Sequence, residues 1–374
     1  MTDDVAGWQA LGERVALARS ARGLSQSDVS AATGIERTAF AKIESGARRV
    51  SALELARLAR ALGRSVSWFV VESPAPIVSR RAELVHERSA AELDAELLLE
   101  DLSLDVGGLL ELGALRVGAS DIEIGQIDDV HGAEEAAARV RVALGDEDGP
   151  LPGMAEVLGR LGLLVYTDDL GDALDGLAVR LDDGVGVCLV NSRSDPGRRR
   201  ATAAHELGHY LFDDAYSVEH LSASSGDERE GLIDAFAGAL LLPERALRAQ
   251  WETLSGERGA RFAAVAIAAR YRVSWSSLRH RVRRLGLVSG ADAHDLTSSP
   301  VKAEFVASGL VPEPDLSGVS VPPLVGEAAM AAYARDDISG DRALEILRGT
   351  VDEMPPRPML SMYALRGDFY SDQS

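Results

Sequence analysis

The most informative run of residues in this chain is Thr202-Ala203-Ala204-His205-Glu206-Leu207-Gly208-His209-Tyr210-Leu211-Phe212. Residues four apart lie about one turn apart on the same face of an α-helix, so His205 and His209 can direct two ring nitrogens at one point. Such a pair can bind a tetrahedral zinc ion, and Glu206 can then reach a water on the metal. Apolar residues at helical spacing around the three indicate that the helix is anchored in a core.

This spacing is the H-E-x-x-H arrangement of zinc hydrolases, in which the metal lowers the pKa of its water and the glutamate accepts the proton. A catalytic zinc needs a third protein ligand and leaves its fourth position to water. The best candidate is Glu230, in a second apolar helix that is predicted to open with Glu228 and to stop at Pro243. Asp234, one turn further along the helix, is predicted to accept a hydrogen bond from the imidazole of one of the metal ligands.

The acidic residues of this second helix also have a purely structural interpretation. Carboxylates are common at helix N-termini because they complement the helix dipole, and Glu230 is open to that interpretation too. Glu228 is an alternative ligand, and His220 is a weaker one because its Ser-rich and Gly-rich neighbours indicate a loop.

The sequence HELGHYLF at 205–212, followed by E-x-x-x-D-A-F-A-x-x-LLLP at 230–243, resembles the ImmA/IrrE family of zinc metallopeptidases. Characterised members of that family act on helix-turn-helix repressors. The runs Val187-Cys188-Leu189-Val190-Asn191 and Arg198-Arg199-Arg200 match the family too, and the resemblance covers roughly residues 151–287.

The resemblance implies that the ligands are His205, His209 and Glu230 and that Glu206 is the catalytic base. One departure concerns Gly231 and Leu232, which stand where relatives usually carry polar or helix-favouring residues. They weaken the predicted start of the second helix.

Residues 8–71 read as five short helices. Ser25 is a predicted N-cap for 26–32, Gly34 turns the chain into 36–44, and a helix capped by Ser51 runs to Leu62 and ends at Gly63. The segment from Leu24 to Gly46 resembles the Cro/repressor-type (XRE) helix-turn-helix family. The resemblance implies a partner, double-stranded operator DNA.

In that arrangement the second helix of the pair enters the major groove. The predicted base contacts are Arg37 and Thr38, and the predicted phosphate contacts are Gln26, Lys42, Arg48 and Arg49. Each of these side chains can equally be a solvated surface group, and the module can be one that contacts only protein. Because operators are commonly palindromic, a homodimer is expected.

Charge is unevenly distributed in the chain, whose net charge is -20. Residues 1–71 carry ten Arg or Lys and seven Asp or Glu, so about +3, which leaves about -23 for the rest. This excludes a wholly nucleic-acid-coating protein and fits a basic module on an acidic body. The single cysteine, Cys188, is predicted to be a buried inert thiol.

With no signal peptide or membrane-spanning run, a cytoplasmic location without membrane contact is expected.

Between the two motifs, residues 72–150 are predicted to form a helical linker or dimerisation region. Ser73-Pro74-Ala75-Pro76 is a predicted hinge, and helices are predicted at 79–104 and 134–144. A helix at 152–161, a strand at 163–166 and a hairpin of 177–181 with 185–190 follow. The segment 185–191 is either a strand that holds an extended substrate beside the metal helix or a buried core strand.

After Pro243, two helices are predicted within 262–287, joined at Val273-Ser274-Trp275. The pair superficially resembles another helix-turn-helix, but a structural role in closing the peptidase domain is favoured. From residue 289 onward, short helices at 326–335 and 341–348 carry no recognisable chemistry.

The predicted fold class is therefore mainly α with a small β-sheet (α+β). The predicted domains are a helix-turn-helix domain (8–71), the linker region (72–150), a zincin-like peptidase domain (151–288) and a C-terminal region (289–374). Three functions are compatible with this organisation. The chain is a DNA-targeted zinc endopeptidase that cuts a partner repressor, a regulator whose peptidase-like domain only senses a ligand or protein, or a regulator that cuts its own linker between 72 and 150.

Overall fold

The structure is a computed structural model that describes residues 2–71, 79–81, 89–118, 122, 124–125, 127–172, 174–212, 223–309 and 314–357. The predicted hinge at 73–76 and His220 lie outside these residues. The helices are α1 Thr2–Ala21, α2 Gln26–Thr33, α3 Arg37–Glu44, α4 Ala52–Leu62, α5 Val66–Val70, α6 Ala90–Glu111, α7 Val130–Leu144, α8 Met154–Gly159, α9 Pro196–Leu211, α10 Ala223–Leu241, α11 Glu244–Arg258, α12 Ala260–Tyr271, α13 Trp275–Arg284, α14 Gly290–Asp295, α15 Lys302–Ser308, α16 Pro323–Ala334 and α17 Gly340–Ile346. The strands are β1 Ser79–Arg81, β2 Leu163–Asp168, β3 Gly176–Arg180 and β4 Gly186–Asn191.

Helices α1–α5, here called the head, follow the capping signals of the sequence closely. Ser25 and Ser51 each form a capping box with the residue three positions later, and Gly34 and Gly63 end α2 and α4 in the left-handed conformation. Glu44 accepts hydrogen bonds from Arg19 and Gln26, at 2.6 Å each, and so ties α3 to α1 and α2.

A four-stranded sheet in the order β1-β3-β4-β2 lies at the centre of the rest of the chain. The hairpin of β3 and β4 is antiparallel, as predicted, whereas β2 runs parallel to β4. Side chains alternate between the two faces: Cys188 and Val190 join a core with α9 and α10, and Val187 and Leu189 join a core with α6 and α16. The sheet is thus buried on both faces, and the protein is mainly helical with a small sheet, as predicted.

Helix α6 lies between the head and the sheet. Its Leu97 is buried in the core of the head, while Leu98, Leu99 and Leu102 are buried in the core on the sheet's second face. The Asp101 carboxylate accepts a 2.8 Å hydrogen bond from the backbone N–H of Ser65 in the head. The head is therefore packed on the body through a shared helix.

The prediction of one helix over 79–104 is wrong at its N-terminal end. Helix α6 begins only at Ala90, where Ser89 and Glu92 form a capping box, and residues 79–81 form strand β1. Ser79 pairs with Ala178 and Arg81 with Gly176 in an antiparallel ladder. A tertiary contact with β3 overrides the local helical preference there.

Segments from outside the hairpin cover both edges of the sheet. Strand β1 pairs with the outer edge of β3, and Ser320 forms an isolated bridge with Thr167 on the outer edge of β2. Thr167 also donates a 2.7 Å hydrogen bond to the carbonyl of Gly318. Covered edges are protected against pairing with other chains.

None of the described helices combines the length and apolar composition that a membrane crossing requires.

The capping box at Ser51 makes a pH-dependent prediction for the head. A hydrogen bond from the Ser51 backbone N–H at 3.0 Å, and then Arg48, lowers the pKa of Glu54 to about 2. The unfolded chain titrates near 4.3, so the stabilisation is present above about pH 4.3 and is lost as the pH falls towards 2. Because solvent still reaches this pair, with Arg48 34% and Glu54 15% exposed, Glu54→Gln should lower the free energy of unfolding at pH 7 by only about 0.5–1 kcal/mol.

Calorimetric unfolding of both proteins at pH 7 and pH 3.5 measures this effect. The difference between wild type and Glu54→Gln should narrow at the lower pH. A difference that stays constant over that range would show that the charge of Glu54 contributes nothing.

Candidate metal centre

Helix α9 carries the H-E-x-x-H residues into the core. The helix begins at Pro196, and the Asp195 side chain accepts a 3.1 Å hydrogen bond from the backbone N–H of Arg198. His205, Glu206 and His209 are all buried, at 2%, 0% and 2% exposure. Burial of three polar side chains on one helix needs compensation, and for the two histidines that compensation comes from helix α10.

The crossing of α9 and α10 depends on Gly208. A methyl group at Gly208 would lie 2.9 Å from Ile233 Cγ2 and 3.2 Å from Phe236 Cδ1, closer than side chains pack. A glycine inside a helix is destabilising by about 1 kcal/mol relative to alanine, so its presence needs a reason. That reason is the close approach of α10, which places Glu230 beside the two histidines.

Three donor atoms meet at this crossing. His205 Nε2 lies 3.1 Å from His209 Nε2 and 3.2 Å from Glu230 Oε2, and His209 Nε2 lies 3.4 Å from Glu230 Oε1. Two ligands about 2.0–2.1 Å from a tetrahedral metal lie about 3.3 Å from each other. The observed separations match that value, and the three residues form a group that could hold a metal ion.

Asp234 lies behind the first histidine. Its carboxylate Oδ1 is 2.9 Å from His205 Nδ1, on the other side of the ring from His209 and Glu230. With Nδ1–H donating to a carboxylate, Nε2 keeps its lone pair for a metal. The side chains of Glu230 and Asp234 are 35% and 58% exposed, so solvent reaches the group from α10.

Glu206 has an unusual environment for a carboxylate. Both of its side-chain oxygens are buried, and neither has a hydrogen-bond partner among the described residues. A buried carboxylate without partners is destabilising by several kcal/mol, so one is kept only where another group satisfies it. Metal-bound water beside His205 and His209 is such a group, and the residues therefore fit a metal.

Cys188 on β4 lies close to this carboxylate. Burial, and to a smaller degree the charge of Glu206, raises the pKa of the Cys188 thiol well above its usual range. The thiol is fully buried, as predicted, and stays protonated and unreactive near neutral pH.

Helix α10 does not begin where the sequence indicates. It starts at Ala223, about two turns before Glu230, and continues through Gly231 and Leu232. The helix dipole acts mainly within the first turn, so it does not explain a carboxylate at Glu230. Glu228, the alternative ligand, is exposed and is not part of the donor group.

The arginines before the motif make structural contacts that the sequence does not indicate. Arg200 is fully buried, pairs with Asp315 of the C-terminal region and donates to the carbonyls of Pro152 and Leu151, both at 2.9 Å. Arg199 donates to the carbonyl of Asp315 at 3.0 Å. These side chains attach the residues after 289 to the start of α9.

In the head, some of the residues predicted to contact DNA are exposed, and others are hydrogen-bonded to neighbouring carboxylates. Arg37, Thr38 and Lys42 are exposed on α3, with Phe40 and Ile43 buried behind them. Among the predicted phosphate contacts, Arg49 is exposed, Gln26 donates to Glu44 at 2.6 Å, and Arg48 donates to Glu54 at 2.7 Å.

Helices α12 and α13, which superficially resemble a second helix-turn-helix, are packed into the core. Arg281 and Arg284 of α13 both pair with Glu134 of α7, and Arg281 is 3% exposed. The favoured structural interpretation of this pair agrees with those contacts.

Comparison with known families supports the architecture. Residues 159–283 match the model for the IrrE N-terminal-like domain of Peptidase_M78, and residues 10–67 match the model for a helix-turn-helix domain. The chain carries an IrrE N-terminal-like domain behind a helix-turn-helix domain. The two matches thus place a helix-turn-helix domain and a peptidase-like domain in one chain.

One solved structure, a Mycobacterium tuberculosis transcriptional regulator, is similar to this chain with 27% identity and a TM-score of 0.32. The match covers 41% of this chain and 46% of that protein, less than half of either. No curated protein matches the chain.

Zinc binding should depend on each residue of the donor group separately. Glu230→Ala removes one of three protein ligands and should leave less than about a tenth of the wild-type zinc after dialysis against a weak chelator. Asp234→Asn should weaken zinc binding by about 10–100-fold, because it alters only the support of His205. Glu228→Ala, on the same helix, is the matched control and should bind one zinc per chain. Elemental analysis measures all four proteins, and equal zinc in Glu230→Ala and Glu228→Ala would exclude this ligand set.

Proposed function

We propose that the chain is a zinc endopeptidase, brought to an operator by its head, that cuts a partner regulatory protein. The proposal rests on the buried carboxylate of Glu206, which has no hydrogen-bond partner among the described residues and lies beside a His205–His209–Glu230 group with tetrahedral spacing. A purely structural zinc site is closed by four protein ligands and has no need of such a carboxylate. By the family resemblance, the substrate is a helix-turn-helix repressor.

The roles of the side chains follow from their positions. A zinc ion in this group would lower the pKa of a bound water and polarise a peptide carbonyl. Glu206 would accept the proton of the attacking water and return it to the leaving amine. Asp234 holds the His205 ring by the 2.9 Å contact at Nδ1, so that Nε2 faces the group.

For an extended substrate, the sheet offers the outer edge of β3. The segment 185–191 is the buried core strand of the two predicted alternatives, because β4 pairs with β3 on one side and β2 on the other. Strand β3 lies directly against α9: a methyl group at Gly176 would come within 2.6 Å of Thr202 Cγ2, one turn before His205. A peptide strand added there would use main-chain hydrogen bonds alone.

The chain's own residues 79–81 occupy this edge, and this observation favours a second candidate function. Strand β1 belongs to the connection between the head and α6, and Arg81 pairs with Gly176, next to α9. We propose as the alternative that the peptidase cuts its own connecting segment and so releases the head. In the first function, β1 and the partner protein compete for the outer edge of β3.

The head determines where on DNA the chain binds. We propose that Arg37 and Thr38 read base edges and that Lys42 and Arg49 contact phosphates, since all four are exposed on or just after α3. Gln26 and Arg48 contact phosphates only if they exchange their bonds to Glu44 and Glu54. Two heads on a palindromic operator would require a homodimer.

Proteolysis of a partner should depend on Glu206. Glu206→Gln keeps the shape of the side chain but removes the base, and loss of a general base lowers the rate by about 10²–10⁴-fold. We expect new protein N-termini, labelled in a cell lysate, to appear with zinc-loaded wild type and with Glu228→Gln but not with Glu206→Gln. If the three lysates show the same N-termini while all three proteins bind zinc and DNA, the chain is a non-proteolytic regulator.

Self-cleavage is tested on the purified chain alone. Intact mass measured over time should show two fragments that separate residues 1–71 from α6, in wild type and not in Glu206→Gln. Fragment formation should be independent of protein concentration, because β1 is supplied by the same chain. A wild-type chain that stays whole with zinc bound rejects this second function and leaves the first untouched.

A further inference from the structure

A cavity of about 380 Å³ lies where the head meets the rest of the chain. The head contributes Arg22, Gly63 and Arg64, helix α6 contributes Asp94, the loop after β2 contributes residues 168–171, and the C-terminal region contributes Arg348. Its volume falls at the lower end of the range for small-molecule sites, about 300–1,000 Å³. Contributions from four separate parts of the chain make it a junction that a ligand would bridge.

Arg64 is a buried cation in the wall of this cavity. Its side chain is 3% exposed, and its terminal nitrogens donate to the carbonyls of Gly63 at 2.9 Å and Asp94 at 2.8 Å and to the Asp94 carboxylate. The remaining donor, Nε, is buried without a hydrogen-bond partner among the described residues. A buried guanidinium with an unused donor is destabilising unless an acceptor reaches it.

Arg22 adds a second cation beside it. The guanidinium lies so close to the Gly63 backbone that a methyl group on Gly63 would be 2.4 Å from Nη1. In contrast to Arg64, Arg22 makes no side-chain hydrogen bond or ion pair with any residue in the described part of the chain, and its charge lies near that of Arg64. Two guanidinium groups therefore line the same cavity, and the one without a partner among the described residues is Arg22.

The carboxylates around the cavity already have partners. Asp168 pairs with Arg348, Asp94 pairs with Arg64, and Asp169 lies 2.6 Å from Arg193 and accepts a 3.0 Å hydrogen bond from Gly171. The charged group in the wall without a partner among the described residues is thus Arg22, a cation. A ligand that completes the cavity must bring acceptors and negative charge.

We propose that this cavity is an effector site for a small acidic molecule whose phosphate or carboxylate group is bound by Arg22 and Arg64. Arginine recognises both groups through paired N–H donors. A bound molecule would connect the head to the loop after β2 and to Arg348 of the C-terminal region. Since α6 is packed in both cores, a ligand there fixes how the head is held and changes how the chain binds DNA.

The test uses the full chain with two probes, pyrophosphate for the phosphate source and citrate for the carboxylate source, at constant ionic strength. Calorimetric titration measures affinity, and thermal unfolding in parallel measures stabilisation. Wild type should bind at least one probe saturably at one site per chain. Arg22→Gln should weaken binding by at least tenfold, and Arg22→Lys by less.

Arg60→Gln is the matched control, because Arg60 is an exposed arginine on α4 that does not line the cavity. It should bind like wild type, and Glu206→Gln should too, since the site does not depend on the peptidase. The Arg22 and Arg60 variants should unfold at the wild-type temperature without probe, because both side chains are exposed and Arg22 makes no hydrogen bond or ion pair among the described residues. The proposal is overturned if neither probe saturates, or if Arg22→Gln binds as tightly as Arg60→Gln.

Discussion

The close crossing of α9 and α10 at Gly208 is the contact on which the candidate metal centre depends. With no side chain at Gly208, Ile233 and Phe236 of α10 reach the backbone of α9, and Glu230 and Asp234, on the same helix, reach opposite sides of the His205 ring. A side chain at Gly208 would place its Cβ 2.9 Å from Ile233 Cγ2, so that α10 or its side chains would have to move away. Metal ligation tolerates errors of only about 0.2 Å. The roughly 1 kcal/mol by which a helical glycine is destabilising is small beside the stabilisation that a metal would give to two buried imidazoles and one carboxylate.

A second constraint is the shared helix α6. Because its leucines belong to two cores, the head cannot change position without exposing apolar surface, at about 25 cal/mol per Å². The connecting strand β1 pairs with the sheet that α6 contacts, and the cavity at Arg22 and Arg64 lies at this junction. Cutting the connection and filling the cavity are two different ways to change how the head is held. The structure thus gives a physical link between the peptidase-like body and the DNA-binding head.

Local signals in the sequence predicted the local parts of this structure well. Ser25, Ser51 and Gly63 lie at helix ends because capping depends on residues within one turn, and the pairing of His205 with His209 depends only on helical periodicity. The parts that failed depend on distant partners. Ser79-Arg80-Arg81 has no strand signal of its own and becomes a strand only because β3 offers an edge about 100 residues later. Likewise, Arg200 reads as part of a basic run, although its carboxylate partner Asp315 is 115 residues away.

We propose that two imidazoles and one carboxylate bind a catalytic zinc with one position left to water. X-ray absorption at the zinc edge of the purified full chain tests this directly. We expect a first shell of nitrogen and oxygen at about 2.0–2.1 Å, outer-shell scattering from two imidazole rings, and no sulfur. A sulfur shell near about 2.3 Å, or scattering from fewer than two imidazoles, would contradict it.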